Sequence, residues 1–149
     1  MNLLRKILIP FSLLYGSIVA LRNIFYDKGW LTSKSFEKPV ICVGNLSVGG
    51  TGKSPMIEYL IEFLNKDYRV SVLSRGYKRQ TKGYREVLSE NTAQEVGDEP
   101  LQFKQNFPDV TVAVCANRRE GIEKLQHKTD VILLDDAFQH RRVRASTYI

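Results

Sequence analysis

Apolar and polar positions along this chain form blocks that predict strands alternating with helices. Short apolar runs rich in valine, isoleucine and leucine predict buried strands at residues 39–45, 68–73, 110–115 and 130–134. Apolar residues at helical spacing predict helices at residues 55–64, 97–107 and 118–126. Residues 147–149 resemble the start of another strand. This alternation is typical of a three-layer α/β fold with a mostly parallel sheet.

The start of the chain differs from the rest, because residues 7–21 carry no charge. Seven side chains in or beside this run share one helical stripe: Leu4, Ile7, Leu8, Phe11, Leu14, Tyr15 and Ile18. Ile9, Leu13 and Leu21 keep another side of the helix apolar. At about 1.5 Å per residue, the run is shorter than the roughly 30 Å core of a bilayer. With Arg5, Lys6 and Arg22 beside it, we expect a helix in a membrane interface that contacts anionic headgroups. Docking on the protein's own core and a signal peptide are the alternatives, although no cleavage-site pattern follows Ala20.

We therefore expect two parts, an apolar helix with a polar connector at residues 1–38 and an α/β domain at residues 39–149. The 149 residues are 43% hydrophobic and 26% charged, which suits a globular domain with a core. The net charge of +6 favours anionic partners such as nucleotides, phosphorylated sugars, lipid surfaces or nucleic acid. Cys42 and Cys115 lie in apolar runs, so we expect buried thiols rather than a disulfide or a metal site.

A glycine-rich stretch after the first predicted strand has the pattern of a phosphate-binding loop. It comprises Ser47, Val48, Gly49, Gly50, Thr51, Gly52, Lys53 and Ser54. The amides of such a loop point at an anion, and the N-terminus of the following helix adds partial positive charge. In this pattern Lys53 contacts the β- and γ-phosphates and Ser54 holds Mg²⁺. The full pattern has glycine where this chain has Ser47, so a glycine-rich turn without a ligand is the alternative.

Charged residues follow the other predicted strands. The fourth strand ends in Asp135 and Asp136, which is typical of a Walker B element that holds Mg²⁺. His140 follows, and both a functional role and an ordinary loop position are consistent with the sequence there. The second strand ends before Arg75 and a basic stretch. This stretch could clamp a substrate phosphate, stack bases on its tyrosines, or form a solvated loop, and the sequence does not decide among the three. Asp98 opens a predicted helix, and N-capping is the structural alternative to a catalytic role.

Taken in order, the motifs VGNLSVGGTGKSP, LSRGYKR, GDEP and LDDAFQHR resemble the tetraacyldisaccharide 4'-kinase family along the whole chain. The resemblance implies a P-loop kinase that uses ATP and Mg²⁺ to phosphorylate the 4'-hydroxyl of a lipid A disaccharide precursor in lipopolysaccharide biosynthesis. It implies a glycolipid substrate, no nucleic-acid partner, and a peripheral or monotopic position at the cytoplasmic face of the bacterial inner membrane. Family members also carry a small hydroxyl residue where Ser47 stands, so that departure is a family trait.

The resemblance also implies roles for individual residues. Those implied in catalysis are Asp98, Lys53 and His140, with Asp98 as the base that accepts the proton of the sugar hydroxyl. Those implied in metal binding are Ser54, Glu99, Asp135 and Asp136. Those implied near substrate phosphates are Arg75 and Arg118, the latter beside Arg119. Residues 47–54 are implied in nucleotide binding.

Length is the one departure from the family. Members are about twice as long as this sequence, as expected for a chain with a second domain. The resemblance therefore implies that these residues form the N-terminal part, and that a histidine which pairs with the catalytic acid lies in the other half. We expect little or no kinase turnover from the 149 residues alone. Near-normal activity from them would contradict this expectation.

Three other classes of protein share single features with this chain. A membrane-associated switch or partitioning ATPase has the loop K-G-G-x-G-K-[ST], but Val48 stands where its first lysine would be. A GTPase has less support, because no D-x-x-G follows Asp136 and no N-K-x-D is present. A nucleic-acid binder would use the basic stretch around Tyr77, yet no DNA- or RNA-binding motif accompanies it.

Overall fold

A computed structural model describes residues 3–31, 33–44, 52–135 and 143–149, without the side chains of residues 3–11 and 13. The chain forms two compact units, Met1–Ser33 and Lys34–Ile149. The division expected from the sequence, between residues 38 and 39, remains a prediction.

The first unit contains helix α1, Leu3–Asp27. A turn follows in which the amides of Trp30 and Leu31 donate to the carbonyl of Phe25 at 2.9 and 3.1 Å. The rings of Phe25 and Trp30 pack with their centroids 5.3 Å apart. Several apolar side chains of this unit are exposed: Leu14, Tyr15, Ile18, Leu21, Ile24 and Trp30. Among the described residues, no helix combines the length and the apolar character needed to cross a membrane.

The second unit is built on a sheet of six strands in the described residues. They are β1 Val40–Val43, β2 Val70–Ser74, β3 Arg85–Glu86, β4 Thr111–Val114, β5 Val131–Asp135 and β6 Thr147–Tyr148. Their order across the sheet is β3-β4-β2-β5-β1-β6. Neighbouring strands pair in parallel, except that β3 pairs antiparallel with β4. The predicted mostly parallel sheet is therefore confirmed.

Helices cover both faces of this sheet. They are α2 Lys53–Leu64, α3 Ala93–Val96, α4 Asp98–Asn106 and α5 Arg118–Leu125. Successive residues of β2 point to opposite faces, so Val72 joins the apolar cluster formed with α2 and α4, and Leu73 joins the cluster formed with α5. The result is the predicted three-layer α/β fold.

Two short elements were not predicted. Residues 93–96 form α3. Thr92 and Glu95 form a capping box at its start, and this T-x-x-E spacing was a usable sequence signal. Strand β3 has two residues and no apolar run, so hydrophobic periodicity gave no indication of it.

Candidate active site

Strand β5 lies beside β1, the strand that leads into the predicted phosphate-binding loop. Parallel pairing places Asp135 opposite Val43, the last residue of β1. Because neighbouring strands lie about 4.8 Å apart, Asp135 stands next to the end of β1. Asp135 is buried, with 3% of its surface exposed. The order of the strands thus places Asp135, a predicted Walker B residue, beside the strand that precedes the predicted loop.

Helix α2 begins where the phosphate-binding loop ends. Gly52 is its N-cap and has a φ of 76°, a left-handed conformation that glycine adopts without strain. Lys53 is the first helical residue, two positions earlier than the sequence predicted. The amides at a helix N-terminus have no partner within the helix and carry partial positive charge. This end of α2 therefore suits an anion such as a phosphate.

Helix α4 carries two acidic residues at its N-terminus. Gly97 is the N-cap, so Asp98 is the first residue of the helix and not the cap. Glu99 follows in the same turn, and both residues are exposed. The Oγ of Ser54 donates a hydrogen bond to Oε1 of Glu99 at 2.8 Å. Because this bond joins the first turns of α2 and α4, Asp98 lies at the same edge of the sheet as the start of α2.

Two further side chains hold Asp135 in place. The Oγ of Ser74 donates to Oδ2 of Asp135 at 2.9 Å. The buried guanidinium of Arg118 donates at 2.8 Å from Nη1 to the carbonyl of Cys115 and from Nη2 to that of Asp135. Arg118 was expected near a substrate phosphate, and that role remains a prediction. The contacts seen here join the ends of β4 and β5.

Ser74 was not singled out from the sequence. It belongs to the LSRGYKR motif, but its partner Asp135 is 61 residues away, and no local pattern connects the two. Arg75, the next residue, is exposed at the carboxyl end of β2, and its role in substrate binding remains a prediction. Both Cys42 and Cys115 are buried free thiols, as predicted, and burial raises the pKa of the Cys115 thiol.

The oxygen ligands at this edge fit Mg²⁺. This ion binds hydroxyl and carboxylate oxygens, with one or two protein carboxylates completed by phosphate oxygens and water. The hydroxyl of Ser54 and the carboxylate of Glu99 are in contact. Asp135 lies at the end of β5, next to the end of β1. Within the described parts of the chain, no group of three or more His, Cys, Asp or Glu side chains could hold a metal.

Several predicted site residues lie outside the described residues. They are Ser47, Val48, Gly49, Gly50, Thr51, Asp136 and His140. Their roles remain predictions.

Known proteins resemble this chain along its whole length. The model of the LpxK family, tetraacyldisaccharide-1-P 4'-kinase, matches residues 4–149. The chain belongs to this kinase family. The tetraacyldisaccharide 4'-kinase of Flavobacterium johnsoniae is 59% identical over 152 residues, which cover 100% of the chain and 45% of that relative. The enzyme of the same name from Bacteroides thetaiotaomicron is 54% identical over 145 residues, covering 95% of the chain and 38% of the relative.

A solved structure of a family member has the same fold. The crystal structure of an "apo" form of LpxK from Aquifex aeolicus, in complex with ATP, superposes with a TM-score of 0.87 at 43% sequence identity. The match covers 98% of this chain and 48% of that one. The chain therefore spans less than half the length of these kinases. The family resemblance drawn from the four motifs is confirmed, and the roles of individual residues stay predictions.

Proposed function

We propose that this chain provides the nucleotide-binding part of a tetraacyldisaccharide 4'-kinase. The enzyme transfers the γ-phosphate of ATP to the 4'-hydroxyl of a tetraacyldisaccharide 1-phosphate, a precursor of lipid A. Besides family membership, the observation that supports this most is the hydrogen bond between Ser54 and Glu99. This bond joins α2, the helix after the predicted phosphate-binding loop, to α4, the helix that presents Asp98. The residues proposed for the phosphate donor and for the phosphate acceptor therefore share one edge of the sheet.

The residues at this edge divide the work of phosphoryl transfer. Lys53 and the amides at the start of α2 stabilise negative charge on the phosphates. Asp98 is exposed at the start of α4 and accepts the proton of the attacking 4'-hydroxyl. Arg75 contacts an anionic part of the acceptor from the end of β2. For His140 we propose a supporting catalytic role just beyond the Walker B acids.

Mg²⁺ supplies charge neutralisation and orientation of the phosphates when it is bound. Ser54, Glu99, Asp135 and Asp136 are the residues that would hold it. Ser74 and Arg118 keep Asp135 in position through its side chain and its carbonyl. This division agrees with the buried position of Asp135 and the exposed position of Glu99.

We place the enzyme at the cytoplasmic face of the bacterial inner membrane. The exposed apolar residues of α1 support contact with the acyl region of an interface, and Arg22 supports contact with anionic headgroups. The glycolipid acceptor resides in that membrane, so this helix would bring the kinase to its substrate.

The experiment that tests the proposal measures transfer of labelled phosphate from ATP to a membrane-extracted tetraacyldisaccharide 1-phosphate. It uses a protein that carries this chain within the length of its relatives. We expect Lys53→Ala to reduce transfer by orders of magnitude, because charge on the transferred phosphate loses its partner. Lys66→Ala is the matched control, since Lys66 is exposed just beyond the other end of α2. A small effect of Lys53→Ala would remove the phosphate-binding loop from the mechanism.

The same assay separates the kinase from the alternative class. Hydrolysis of ATP that membranes stimulate, without transfer to any lipid, would support a membrane-associated switch or partitioning ATPase instead. Transfer to the disaccharide lipid that depends on Lys53 supports the kinase.

A further inference from the structure

A second polar contact between α2 and α4 lies one turn beyond the bond from Ser54 to Glu99. There Oε1 of Glu58 accepts hydrogen bonds from Nε2 of Gln102 at 3.1 Å and from Nδ2 of Asn106 at 2.9 Å. Ser54 and Glu58 lie at i and i+4 on α2, and their partners lie at i, i+3 and i+7 on α4, so each set follows one face of its helix. A row of polar contacts therefore connects the two helices.

The apolar contacts of these helices do not by themselves fix how α4 is aligned along α2. Ile57 and Ile61 of α2 share a buried cluster with Phe103 of α4. Burial of apolar surface is non-directional, whereas a hydrogen bond weakens steeply when its distance or angle changes. Because Glu58 accepts from two successive turns of α4, its carboxylate favours a single alignment of the two helices.

The start of α4 is attached to a different part of the second unit. A Cβ on Gly97 would lie 3.2 Å from the Cα of Gly76, and Gly97 has a φ of 96°, which disfavours other residues. This close backbone contact holds the start of α4 against the turn after β2. Glu58 holds the same helix further along, so the direction of its first turn depends on both attachments.

The alignment of the two helices matters because it sets the spacing of two proposed metal ligands. Oγ of Ser54 and Oε1 of Glu99 are 2.8 Å apart. Two oxygens that bind Mg²⁺ side by side, each at about 2.1 Å in an octahedron, are about 3.0 Å apart. The observed spacing is close to what one ion requires, and a shift of α4 along α2 would change it. Asp98 precedes Glu99 in the same turn and would move with it.

We propose that Glu58 is a positioning residue for the kinase reaction. Through Gln102 and Asn106 it keeps the first turn of α4 aligned with the first turn of α2, and it acts on the reaction through Glu99 and Asp98. This inference rests on the proposed function. The feature that matters is the acceptor oxygen of Glu58 and not its charge, because both of its partners are neutral amides.

The first measurement is the Mg²⁺ dependence of binding of a labelled ATP analogue, in the kinase at the full length of its relatives. We expect Glu58→Ala to raise the concentration of Mg²⁺ needed for half-maximal binding about tenfold, because Ser54 and Glu99 lose their alignment. Binding of the analogue without Mg²⁺ should be unchanged, since Lys53 and the amides of α2 do not depend on α4. Glu58→Gln should restore most of the native Mg²⁺ dependence, because its side-chain carbonyl accepts the same two hydrogen bonds.

The second measurement is phosphoryl transfer by the same protein at saturating Mg²⁺ and ATP. Glu58→Ala should lower kcat about tenfold, because Asp98 is displaced from the reacting phosphate, and the KM for ATP should be unchanged. Gln102→Ala/Asn106→Ala should reproduce both the metal effect and the loss of kcat. Adding Glu58→Ala to that double variant should cause no further loss, because the same contacts are already absent. Glu62→Ala is the matched control, since Glu62 is an exposed carboxylate one turn further along α2.

Three results would overturn the inference. An unchanged Mg²⁺ requirement in Glu58→Ala would show that Glu58 does not align the ligands. An equal effect of Glu58→Gln would assign the role to the charge of the carboxylate. An equal loss of nucleotide binding with and without Mg²⁺ would show only a general loss of structure. If the native enzyme transfers phosphate to no disaccharide lipid, the proposed function fails, and the Mg²⁺ titration still decides on Glu58 because it needs no turnover.

Discussion

The two edges of the central sheet use charged residues in opposite ways. At the amino edge, the guanidinium of Arg69 makes two hydrogen bonds to the carboxylate of Asp130, at 3.0 and 2.9 Å, on the exposed surface. At the carboxyl edge, the guanidinium of buried Arg118 donates hydrogen bonds to the carbonyl oxygens of Cys115 and Asp135. The carboxylate of Asp135 accepts a hydrogen bond from the hydroxyl of Ser74.

The difference separates structural pairing from preparation for a ligand. Arg69 and Asp130 form an ion pair at the amino edge, and the ammonium of Lys38 lies 3.8 Å from the same carboxylate. At the carboxyl edge, the carboxylates of Glu99 and Asp135 accept hydrogen bonds from the hydroxyl groups of Ser54 and Ser74. Parallel strands place loops with binding residues at their carboxyl ends. Comparable substitutions at the two edges should therefore have different consequences.

The largest contrast is expected from removing one charge at each edge. Asp135→Asn keeps the shape of the side chain but removes the carboxylate beside the phosphate-binding loop, so phosphoryl transfer should fall about 10²-fold or more. Asp130→Asn, the matched change at the amino edge, should leave kcat within about twofold, because that residue contacts only structural partners. Steady-state kinetics on both variants measures the contrast. Equal losses would show that the edges are not functionally distinct.

Removing an arginine should lower the free energy of unfolding more at the carboxyl edge than at the amino edge. Arg118→Met leaves two carbonyl oxygens without this buried donor, and we expect the free energy of unfolding to fall by about 2 to 4 kcal/mol. Arg69→Met removes an exposed pair and should change the free energy of unfolding far less. Urea denaturation followed by circular dichroism gives both values. A larger loss for Arg69→Met would reverse the assignment of the two arginines.

Ser74 offers a finer test of how Asp135 is positioned. Ser74→Ala removes the hydroxyl donor, and we expect the concentration of Mg²⁺ needed for half-maximal nucleotide binding to rise about tenfold or less. Ser74→Thr keeps a hydroxyl and should restore most of the native affinity. Fluorescence titration of a labelled ATP analogue at varied Mg²⁺ measures this without turnover. No difference between the alanine and threonine variants would exclude a positioning role.

The smallest effect concerns titration at the amino edge. Hydrogen bonds from the Arg69 side chain, with support from its amide, lower the pKa of Asp130 from its ordinary 3.8 to about 2. Because the folded pKa is depressed, this pair stabilises the protein fully above the unfolded pKa, and the contribution is lost as pH falls from there through about 2. Arg69→Gln should return the pKa towards its ordinary value, as seen by NMR titration of the carboxyl carbon. An unchanged pKa would mean that Arg69 is not the cause.

Much of this arrangement followed from local sequence patterns. Apolar runs marked the four long strands, because a strand buried on both faces needs apolar residues throughout. The sequence around GTGKS located the start of α2 to within two residues, because helix initiation depends on neighbouring residues. The GDEP motif likewise located the acidic start of α4, although the cap proved to be Gly97 and not Asp98.

The sequence by itself determined which segments become strands and helices and which of them end in charged residues. Only the tertiary structure decided that β5 inserts between β1 and β2, that Ser74 reaches Asp135, and that Gly76 lies against Gly97. Secondary structure follows from residues a few positions apart, whereas these contacts join segments far apart in the chain. They form because both apolar faces of the sheet must be covered at once, and no short pattern records that requirement.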